Sequence, residues 1–263
     1  MIKFIAADMD GTLLNSKKEL PKDFVEVIAK LKEKQIVFAP ASGRQYQTLY
    51  DMFSPISPDF IYIAENGSMV VRDGKPLVCD CIDGDVVREV VETVRKIPTA
   101  YVLLCCDDCA YGENGDDEIF SRNVSLYYHS YQNVDDLIPL CYEKNVLKLA
   151  IYDREDAGKN VYHKIPNYPE QIEAILSAKD WVDVMKADVS KGGAIKRLQE
   201  IYGWKPEECM CFGDYLNDYE MFLNCSESYA MANAHEKLKE AAKYIAPSND
   251  EDGVMKMIES KLL

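Results

Sequence analysis

Residues 1–14 read MIKFIAADMDGTLL, and this stretch decides the fold. Ile2–Ala7 is short and mostly apolar, which is typical of a strand that is covered on both faces of a sheet. Asp8 and Asp10 follow at the end of that strand, and Gly11 comes next. Because buried ionised carboxylates are costly without a positive partner, the pattern predicts a cation or a cationic side chain close to the two aspartates.

The composition restricts the classes of partner. The chain has 263 residues and a formal net charge of −15, which argues against nucleic acid because phosphate backbones require basic surfaces. No apolar run reaches the length of a membrane span, and the N-terminal residues lack the pattern of a secretory signal. We therefore predict a cytoplasmic protein without a membrane partner. A small phosphorylated molecule remains a suitable ligand if cations are concentrated locally.

The sequence contains nine cysteines. Disulfides are not expected without a secretory signal. Cys105, Cys106 and Cys109 in CCDDC could supply part of a zinc site, but no second cysteine pair or nearby histidine completes four ligands. Buried free thiols are the interpretation that the sequence favours.

Strand-like and helix-like patterns alternate in the N-terminal part of the chain and again in the C-terminal part. In residues 21–34 apolar residues recur at helical spacing, with Pro21 suited to the first turn, and Asp73-Gly74 is typical of a hairpin turn. This alternation predicts an α/β fold with a doubly wound parallel sheet.

The middle of the chain interrupts this alternation with frequent turn signals and an acidic stretch. We therefore predict a core of residues 1–81 and 188–263, and an inserted α+β domain of residues 82–187 that acts as a cap and selects the substrate. The insert carries polar and aromatic residues that suit sugar hydroxyls, namely Asn114, Tyr127, Tyr128 and His129.

Four polar clusters fall where predicted strands of the core end. Each alone is typical of a helix cap, a turn or a surface lysine, but open parallel sheets bind ligands at the carboxyl ends of their strands. Their occurrence together therefore predicts one functional site. The clusters are Asp8 and Asp10 with Thr12, then Ser42-Gly43-Arg44, then Lys191, and finally Asp214 with Asn217 and Asp218.

These residue types favour phosphoryl-transfer chemistry. Asp8 and Asp214 can share a hard cation, most plausibly Mg²⁺, while Asp8 acts as a nucleophile through its second oxygen. Asp10 is close enough in sequence to protonate a leaving oxygen and later to deprotonate water. Ser42 can donate a hydrogen bond to a phosphoryl oxygen, and Lys191 supplies a compact positive charge.

The motifs DMDGT, SGR, SKGGA and GDYLND resemble the four motifs of the haloacid dehalogenase superfamily. Their order and spacing resemble the Cof-type branch, which has an inserted α+β cap of the C2B kind. The stretches ASGRQYQTLY and YIAENGSMVV are similar to bacterial sugar phosphatases of that branch. The resemblance implies a Rossmann-like core and a phosphatase activity.

The resemblance also implies a role for each site residue. Asp8 would be the phosphorylated nucleophile, and Asp10 the general acid and base. Mg²⁺ would be held by Asp8, by the backbone carbonyl of Asp10 and by Asp214. Asn217 and Asp218 would support the metal shell or the phosphate. The phosphoryl group would be bound by Ser42, Gly43 and Lys191.

Two positions depart from the usual pattern of the branch, and a third stays open. Ser42 stands where threonine is commoner, which keeps the hydroxyl. Tyr215 stands where small residues are frequent, which would alter the rim of the site. Arg44 either reaches the substrate or forms a structural salt bridge.

The favoured interpretation is an Mg²⁺-dependent phosphatase acting on a small phosphomonoester, with a sugar phosphate as the favoured substrate. A phosphotransferase or phosphomutase with the same phospho-aspartate is the first alternative, because the same motifs serve both. A non-enzymatic phospho-receiver is the second, but such proteins lack the cap and an acid/base carboxylate two residues after the nucleophile. Asp10 also disfavours a simple dehalogenase.

Overall fold

The computed structural model describes residues 1–57 and 59–263, apart from the side chains of residues 126 and 127. The chain divides into two compact units: a core unit of Met1–Val78 and Ser190–Leu263, and an insert unit of Cys79–Val189. The predicted insert, residues 82–187, begins three residues later and ends two residues earlier than the insert unit of the structure. The side chain of Tyr127 lies outside the described part, and the cap role stays a prediction.

The described residues contain the following strands, in chain order. They are β1 (Phe4–Asp8), β2 (Val37–Ala41), β3 (Ile61–Ala64), β4 (Met69–Arg72), β5 (Lys75–Cys79), β6 (Ala100–Cys106), β7 (Ala110–Gly112), β8 (Tyr131–Asn133), β9 (Val146–Asp153), β10 (Ile172–Ala178), β11 (Trp181–Lys186), β12 (Cys209–Gly213), β13 (Glu227–Met231) and β14 (Tyr244–Ala246).

The α-helices follow the same convention. They are α1 (Phe24–Glu33), α2 (Tyr46–Phe53), α3 (Gly84–Val94), α4 (Glu118–Tyr127), α5 (Leu140–Glu143), α6 (Ala157–Asn160), α7 (Lys191–Tyr202), α8 (Tyr219–Asn224), α9 (Glu236–Ala241) and α10 (Gly253–Leu262).

The core sheet has the strand order β14-β13-β12-β1-β2-β3-β4-β5. β1 pairs in parallel with β12 on one side and with β2 on the other, and parallel pairing continues to β14 and to β3. The predicted α/β class with a parallel core sheet is therefore confirmed. Since β1, β2 and β12 are neighbours, the residues that follow them meet at one edge of the sheet.

Helix α1 shows how the apolar pattern becomes packing. Its residues Phe24, Val27, Ile28 and Leu31 are buried, as their helical spacing predicted. The helix nevertheless begins at Phe24, whereas we expected Pro21 in its first turn. The carbonyl of Pro21 accepts a hydrogen bond from the Phe24 N–H at 3.1 Å, so the proline belongs to a turn that precedes the helix.

The predicted hairpin at Asp73-Gly74 joins β4 and β5, which are neighbours at the end of the core sheet. Both turn residues have positive φ, 51° for Asp73 and 69° for Gly74. A two-residue type I′ turn requires this backbone, which aspartate and glycine adopt more readily than other residues. The dipeptide therefore determined the position of the turn.

The insert unit is built on a second sheet, with the order β10-β11-β9-β6-β7-β8. Its central strand β9 is antiparallel to β6 and to β11. Valines of α3 belong to one buried apolar cluster of this unit, and Phe120 of α4 belongs to another. Phe120 stacks on Tyr101 of β6 with the ring centroids 4.9 Å apart. The insert therefore has its own apolar cores.

No helix in the described part of the chain is suited to cross a membrane. The longest, α7, has 12 residues, whereas a spanning helix needs about 20 apolar residues.

Candidate active site

Asp8 and Asp214 lie at the carboxyl edge of the core sheet. Asp8 ends β1, and Asp214 follows β12, the parallel neighbour of β1. Gly11 lies directly beside them with φ +87°, and a Cβ atom at this position would collide with the Asp214 carboxylate. Only glycine therefore allows the loop after β1 to approach Asp214 this closely.

Three carboxylates converge at this edge. One carboxylate oxygen each of Asp8, Asp214 and Asp218 lies within 4.8 Å of the other two. Asp218 comes from the short helical turn after β12, and its Oδ2 accepts hydrogen bonds from the backbone N–H groups of Asp214 (3.0 Å) and Tyr215 (3.2 Å). Within residues 1–57 and 59–263, this is the one group of three or more potential metal-ligating side chains.

Lys191 supplies the positive partner that the first fourteen residues required. Its Nζ donates to Asp8 Oδ1 at 2.5 Å and to Asp218 Oδ1 at 2.7 Å, and the side chain is only 1% exposed. The lysine is the first residue of α7, where Ser190 caps the helix by accepting a hydrogen bond from the Gly193 N–H at 2.9 Å. The cap therefore sets the position from which Lys191 reaches the carboxylates.

The electrostatics of this group leave an excess of negative charge. Burial and the charge of Asp218 raise the pKa of Asp8 well above its usual range, although Lys191 opposes the shift. Burial also raises the pKa of Asp214, against a hydrogen bond that its Oδ1 accepts from Thr12 at 2.9 Å. Burial would lower the pKa of Lys191, but the charges of Asp218 and Asp8 outweigh burial and raise it, so the ammonium stays protonated.

The donor set fits a hard divalent cation. Three carboxylates face one ammonium group, so two negative charges remain if all of them are ionised. Oxygen ligands of this kind are those that Mg²⁺ prefers. Asp8 and Asp218 are buried, where an uncompensated charge is most costly.

Asp10 lies outside the three-carboxylate group and is held by two cations. Arg44 donates from Nε to Asp10 Oδ2 at 2.9 Å and from Nη2 to Oδ1 at 2.6 Å, and Lys18 Nζ donates to Oδ1 at 2.7 Å. Burial would raise the pKa of Asp10, but these hydrogen bonds outweigh it and hold the pKa below its usual range. Of the two roles left open for Arg44, the structure therefore shows a salt bridge, and its partner is the predicted acid/base residue.

The second motif lies after β2, next to β1. Ser42 is buried, and its Oγ accepts a hydrogen bond from the Arg44 N–H at 3.2 Å. A Cβ atom at Gly43 would lie 3.1 Å from the side-chain amide of Asn66. The Asn217 amide donates to Asn66 Oδ1 at 3.3 Å. Asn66 therefore connects the second motif to the fourth.

Three residues of this region were not identified from the sequence. Asn66 has φ 54° in the turn Glu65–Gly67, and the Asn-Gly pair was the sequence signal for such a backbone. Lys18 contacts Asp10, and Asn233 donates from Nδ2 to the Gly11 carbonyl at 2.7 Å. Nothing in the local sequence distinguishes Lys18 or Asn233 from surface residues.

The cysteines of the CCDDC stretch lie in the insert unit. Cys105, Cys106 and Cys109 are buried, and none of them forms a disulfide. Burial raises the pKa of the Cys106 thiol, which keeps it protonated and inert.

Comparison with known proteins places the whole chain among enzymes. The family of haloacid dehalogenase-like hydrolases matches residues 5–258. A protein of Escherichia coli named as a 5-amino-6-(5-phospho-D-ribitylamino)uracil phosphatase is 31% identical over 264 residues, which is 99% of this chain and 96% of the relative. A Bacillus subtilis protein with the same enzyme name is 25% identical over 258 residues, or 98% of this chain and 94% of the relative.

Solved structures give the same result for the fold. A protein of Eubacterium rectale superimposes with a TM-score of 0.91 at 30% identity and covers 99% of both chains. A protein of Thermotoga maritima superimposes with a TM-score of 0.91 at 26% identity, over 100% of this chain and 98% of the other. Both core and insert therefore have counterparts in these proteins.

Proposed function

The chain belongs to the haloacid dehalogenase-like hydrolases and is a phosphoric monoester hydrolase, and we propose that it is an Mg²⁺-dependent phosphatase whose nucleophile is Asp8. The observation that carries the proposal is the buried group of Asp8, Asp214, Asp218 and Lys191 at the carboxyl edge of the core sheet. Such a group combines a nucleophilic carboxylate, oxygen ligands for a cation and a fixed positive charge.

Asp8 would bind the phosphoryl group covalently in a first substitution at phosphorus and release it to water in a second. Lys191 holds Oδ1 of Asp8, so we assign Oδ2 as the attacking atom. Its attack forms an acyl phosphate while the bond from phosphorus to the leaving oxygen breaks. Water then attacks the same phosphorus, inorganic phosphate leaves and the Asp8 carboxylate is restored.

Asp10 would transfer the protons of both steps. It gives a proton to the leaving alkoxide in the first step and removes one from water in the second. Its pKa is held low by Arg44 and Lys18, which favours the base form. A phosphate dianion beside Asp10 raises the pKa of its carboxyl by like-charge repulsion, which favours the acid form while substrate is bound.

Mg²⁺ would be held by Asp8, Asp214 and the backbone carbonyl of Asp10, with Asp218 and Asn217 in support. When bound, it offsets the negative charge of the site and of the phosphate. Lys191 and Ser42 would contact the phosphoryl oxygens. We assign Gly43 to the phosphate loop, because a side chain there would press on Asn66.

The substrate class we propose is a terminal phosphomonoester of a sugar or a sugar alcohol. The relatives from Escherichia coli and Bacillus subtilis are named for a phosphorylated ribityl compound, which supports this class. We further propose that residues 82–187 act as the selecting cap, with Asn114, Tyr128 and His129 as candidates for contacts with hydroxyl groups.

One of the two alternative functions is excluded. A phosphoric monoester hydrolase is an enzyme, so the non-enzymatic phospho-receiver is wrong. No observation favours a phosphotransferase or a phosphomutase over a hydrolase. The test below therefore includes a sugar that could accept the phosphoryl group in place of water.

The test is a phosphate-release screen on the metal-stripped protein with Mg²⁺ added back. The panel comprises sugar phosphates, 5-amino-6-(5-phospho-D-ribitylamino)uracil, nucleotides, pyridoxal phosphate and flavin mononucleotide, each with and without an acceptor sugar. We expect release from sugar or sugar-alcohol phosphates, loss of about 10⁴-fold or more in Asp8→Asn, and no loss in the exposed control Asp51→Asn. Phosphoryl transfer to the sugar in place of release would establish the transferase, and equal rates with and without Mg²⁺ would contradict the metal requirement.

A further inference from the structure

The chain enters the insert unit through the stretch Cys79-Asp80-Cys81. Cys79 is exposed and Cys81 is partly exposed, whereas the other seven cysteines are buried. The two Sγ atoms lie 3.7 Å apart. Among the described residues, the two solvent-accessible thiols therefore face each other at the start of the insert unit.

We propose that Cys79 and Cys81 form a thiol–disulfide exchange site, which a small disulfide such as oxidised glutathione converts to an intramolecular disulfide. The site shares no residue with the carboxylates that we assign to phosphoryl transfer, and neither thiol has a role in that chemistry. Its product is a closed ring in the connection through which the chain passes from the core unit to the insert unit.

The local backbone explains why the two thiols meet. β5 ends at Cys79, and in extended chain residues i and i+2 point to the same side. Asp80 lies between them, and its Oδ1 is 3.6 Å from Lys186 Nζ with the side chain only 13% exposed. The pair from Asp80 to Lys186 holds the intervening residue, so rotation of the cysteine side chains is what must bring the sulfurs from 3.7 Å to about 2.05 Å.

The exchange balances in two steps. The thiolate of one cysteine attacks a sulfur of oxidised glutathione, the glutathione S–S bond breaks, and one glutathione thiolate leaves. The thiolate of the other cysteine attacks the protein sulfur of this mixed disulfide and releases the second glutathione. Two electrons pass from the protein to the external disulfide, and the two protons lost by the cysteines go to the two glutathione thiolates.

The surroundings set the rate of this exchange. Although part of Cys79 is exposed, partial desolvation of its thiol and the neighbouring Cys81 raise the pKa of Cys79 to about 12, and desolvation also raises the pKa of Cys81. The carboxylates of Asp80 and Asp107 raise both, while Lys186 lowers that of Cys81. Because the thiolate is the nucleophile, we expect exchange to be slow at neutral pH and faster as pH rises. A disulfide across one intervening residue is strained and exposed, so dithiothreitol should reduce it readily.

The experiment uses the full-length protein with oxidised glutathione at pH 8.5, followed by alkylation and trypsin. The peptide of residues 73–88 contains both cysteines and no other, because trypsin cleaves the Lys75–Pro76 bond poorly. We expect this peptide to become unreactive to alkylation and about 2 Da lighter, which is the mass of two hydrogen atoms. Dithiothreitol should restore it. Two glutathione adducts on this peptide, protein dimers, or unchanged thiols at that pH would overturn the proposal.

Single-cysteine variants distinguish a reactive pair of thiols from one reactive thiol that acts alone. Cys79→Ser and Cys81→Ser each keep one accessible thiol and should accumulate a stable mixed disulfide with glutathione, which the wild-type protein should not. The control Cys141→Ser removes a buried thiol of the same unit and should behave as the wild type. Phenylarsine oxide, which binds two adjacent thiols, provides a second measurement without oxidation. It should bind the wild type with one equivalent and neither single variant, and equal binding to the variants would contradict the pairing.

Discussion

Lys191→Met is expected to destabilise the metal-free protein by about 3–5 kcal/mol, the usual cost of removing one partner of a buried ion pair. The structure supports a value in this range by a second route. Lys191 makes two hydrogen bonds to carboxylates, at 2.5 Å and 2.7 Å, and each bond to a charged group contributes about 1.5–3 kcal/mol. Methionine keeps the length and the apolar stem of the side chain, so the change is mainly one of charge.

The stability lost in Lys191→Met should decrease as pH falls. Without the ammonium group, the pKa of Asp8, already raised by burial and Asp218, rises further. A carboxyl whose pKa is higher in the folded than in the unfolded state takes up a proton on folding, so stability increases as pH falls. We therefore expect the deficit of Lys191→Met to shrink between pH 8 and pH 5.

The assay is urea unfolding in excess chelator at several pH values, with Asp8→Asn as the matched comparison. With all groups ionised, Lys191→Met makes the net charge of the four-residue group more negative, from −2 to −3, whereas Asp8→Asn makes it less negative, from −2 to −1. Both variants should be inactive, but Asp8→Asn should lose less than about 1 kcal/mol or gain stability, because it relieves repulsion. Equal deficits in the two variants, or a Lys191→Met deficit that grows as pH falls, would refute this reasoning.

Further predictions concern the chemistry, the metal, the loop after β1 and the insert. Asp10→Asn should still accumulate radiolabelled phosphate on the protein while turnover falls about 10²–10⁴-fold; label on Asp8→Asn would place the nucleophile elsewhere. Activity lost in excess chelator should return with Mg²⁺ and only poorly with Ca²⁺, which prefers more ligands, and full turnover without metal would contradict this. Gly11→Ala should fold but lose most activity, since its Cβ displaces the Asp214 carboxylate; wild-type kinetics would show that the loop adapts. Asp153 of the insert unit accepts hydrogen bonds from Thr99 and from the N–H groups of residues 155 and 156. Burial would raise the pKa of Asp153, but these hydrogen bonds outweigh burial and hold the pKa below its usual range. Asp153→Asn should therefore cost about 1.5–3 kcal/mol of unfolding free energy at pH 7, and this difference should shrink as pH falls below about 4; a difference that stays constant or grows as pH falls would contradict the assignment.

Much of the core could be predicted because its signals are local. The apolar run before Asp8, the helical spacing of Phe24 to Leu31 and the Asp73-Gly74 turn each occupy a few consecutive residues, and each forms the expected element. The prediction failed at Pro21, which was expected in the first turn of α1 but lies in the preceding turn. Proline has the same φ in both positions, so its presence does not distinguish a turn from the first turn of a helix.

The sequence by itself determined that several carboxylates and a hydroxyl follow strands of a parallel sheet, since the carboxyl ends of such strands share one edge. Lys191 was expected at a strand end as well, but the structure places it at the first position of α7. Only the tertiary structure decided which of these groups touch. Lys191 meets Asp8 across 183 positions, Arg44 meets Asp10 across 34, and Asn217 meets Asn66 across 151. Such pairs carry no local signature, because their geometry is set by strand order and by the packing of α7 rather than by neighbouring residues. The same holds for the insert, whose sequence showed an α+β pattern but not that Cys79 and Cys81 would be its accessible thiols, since burial is decided by the packing of the whole unit.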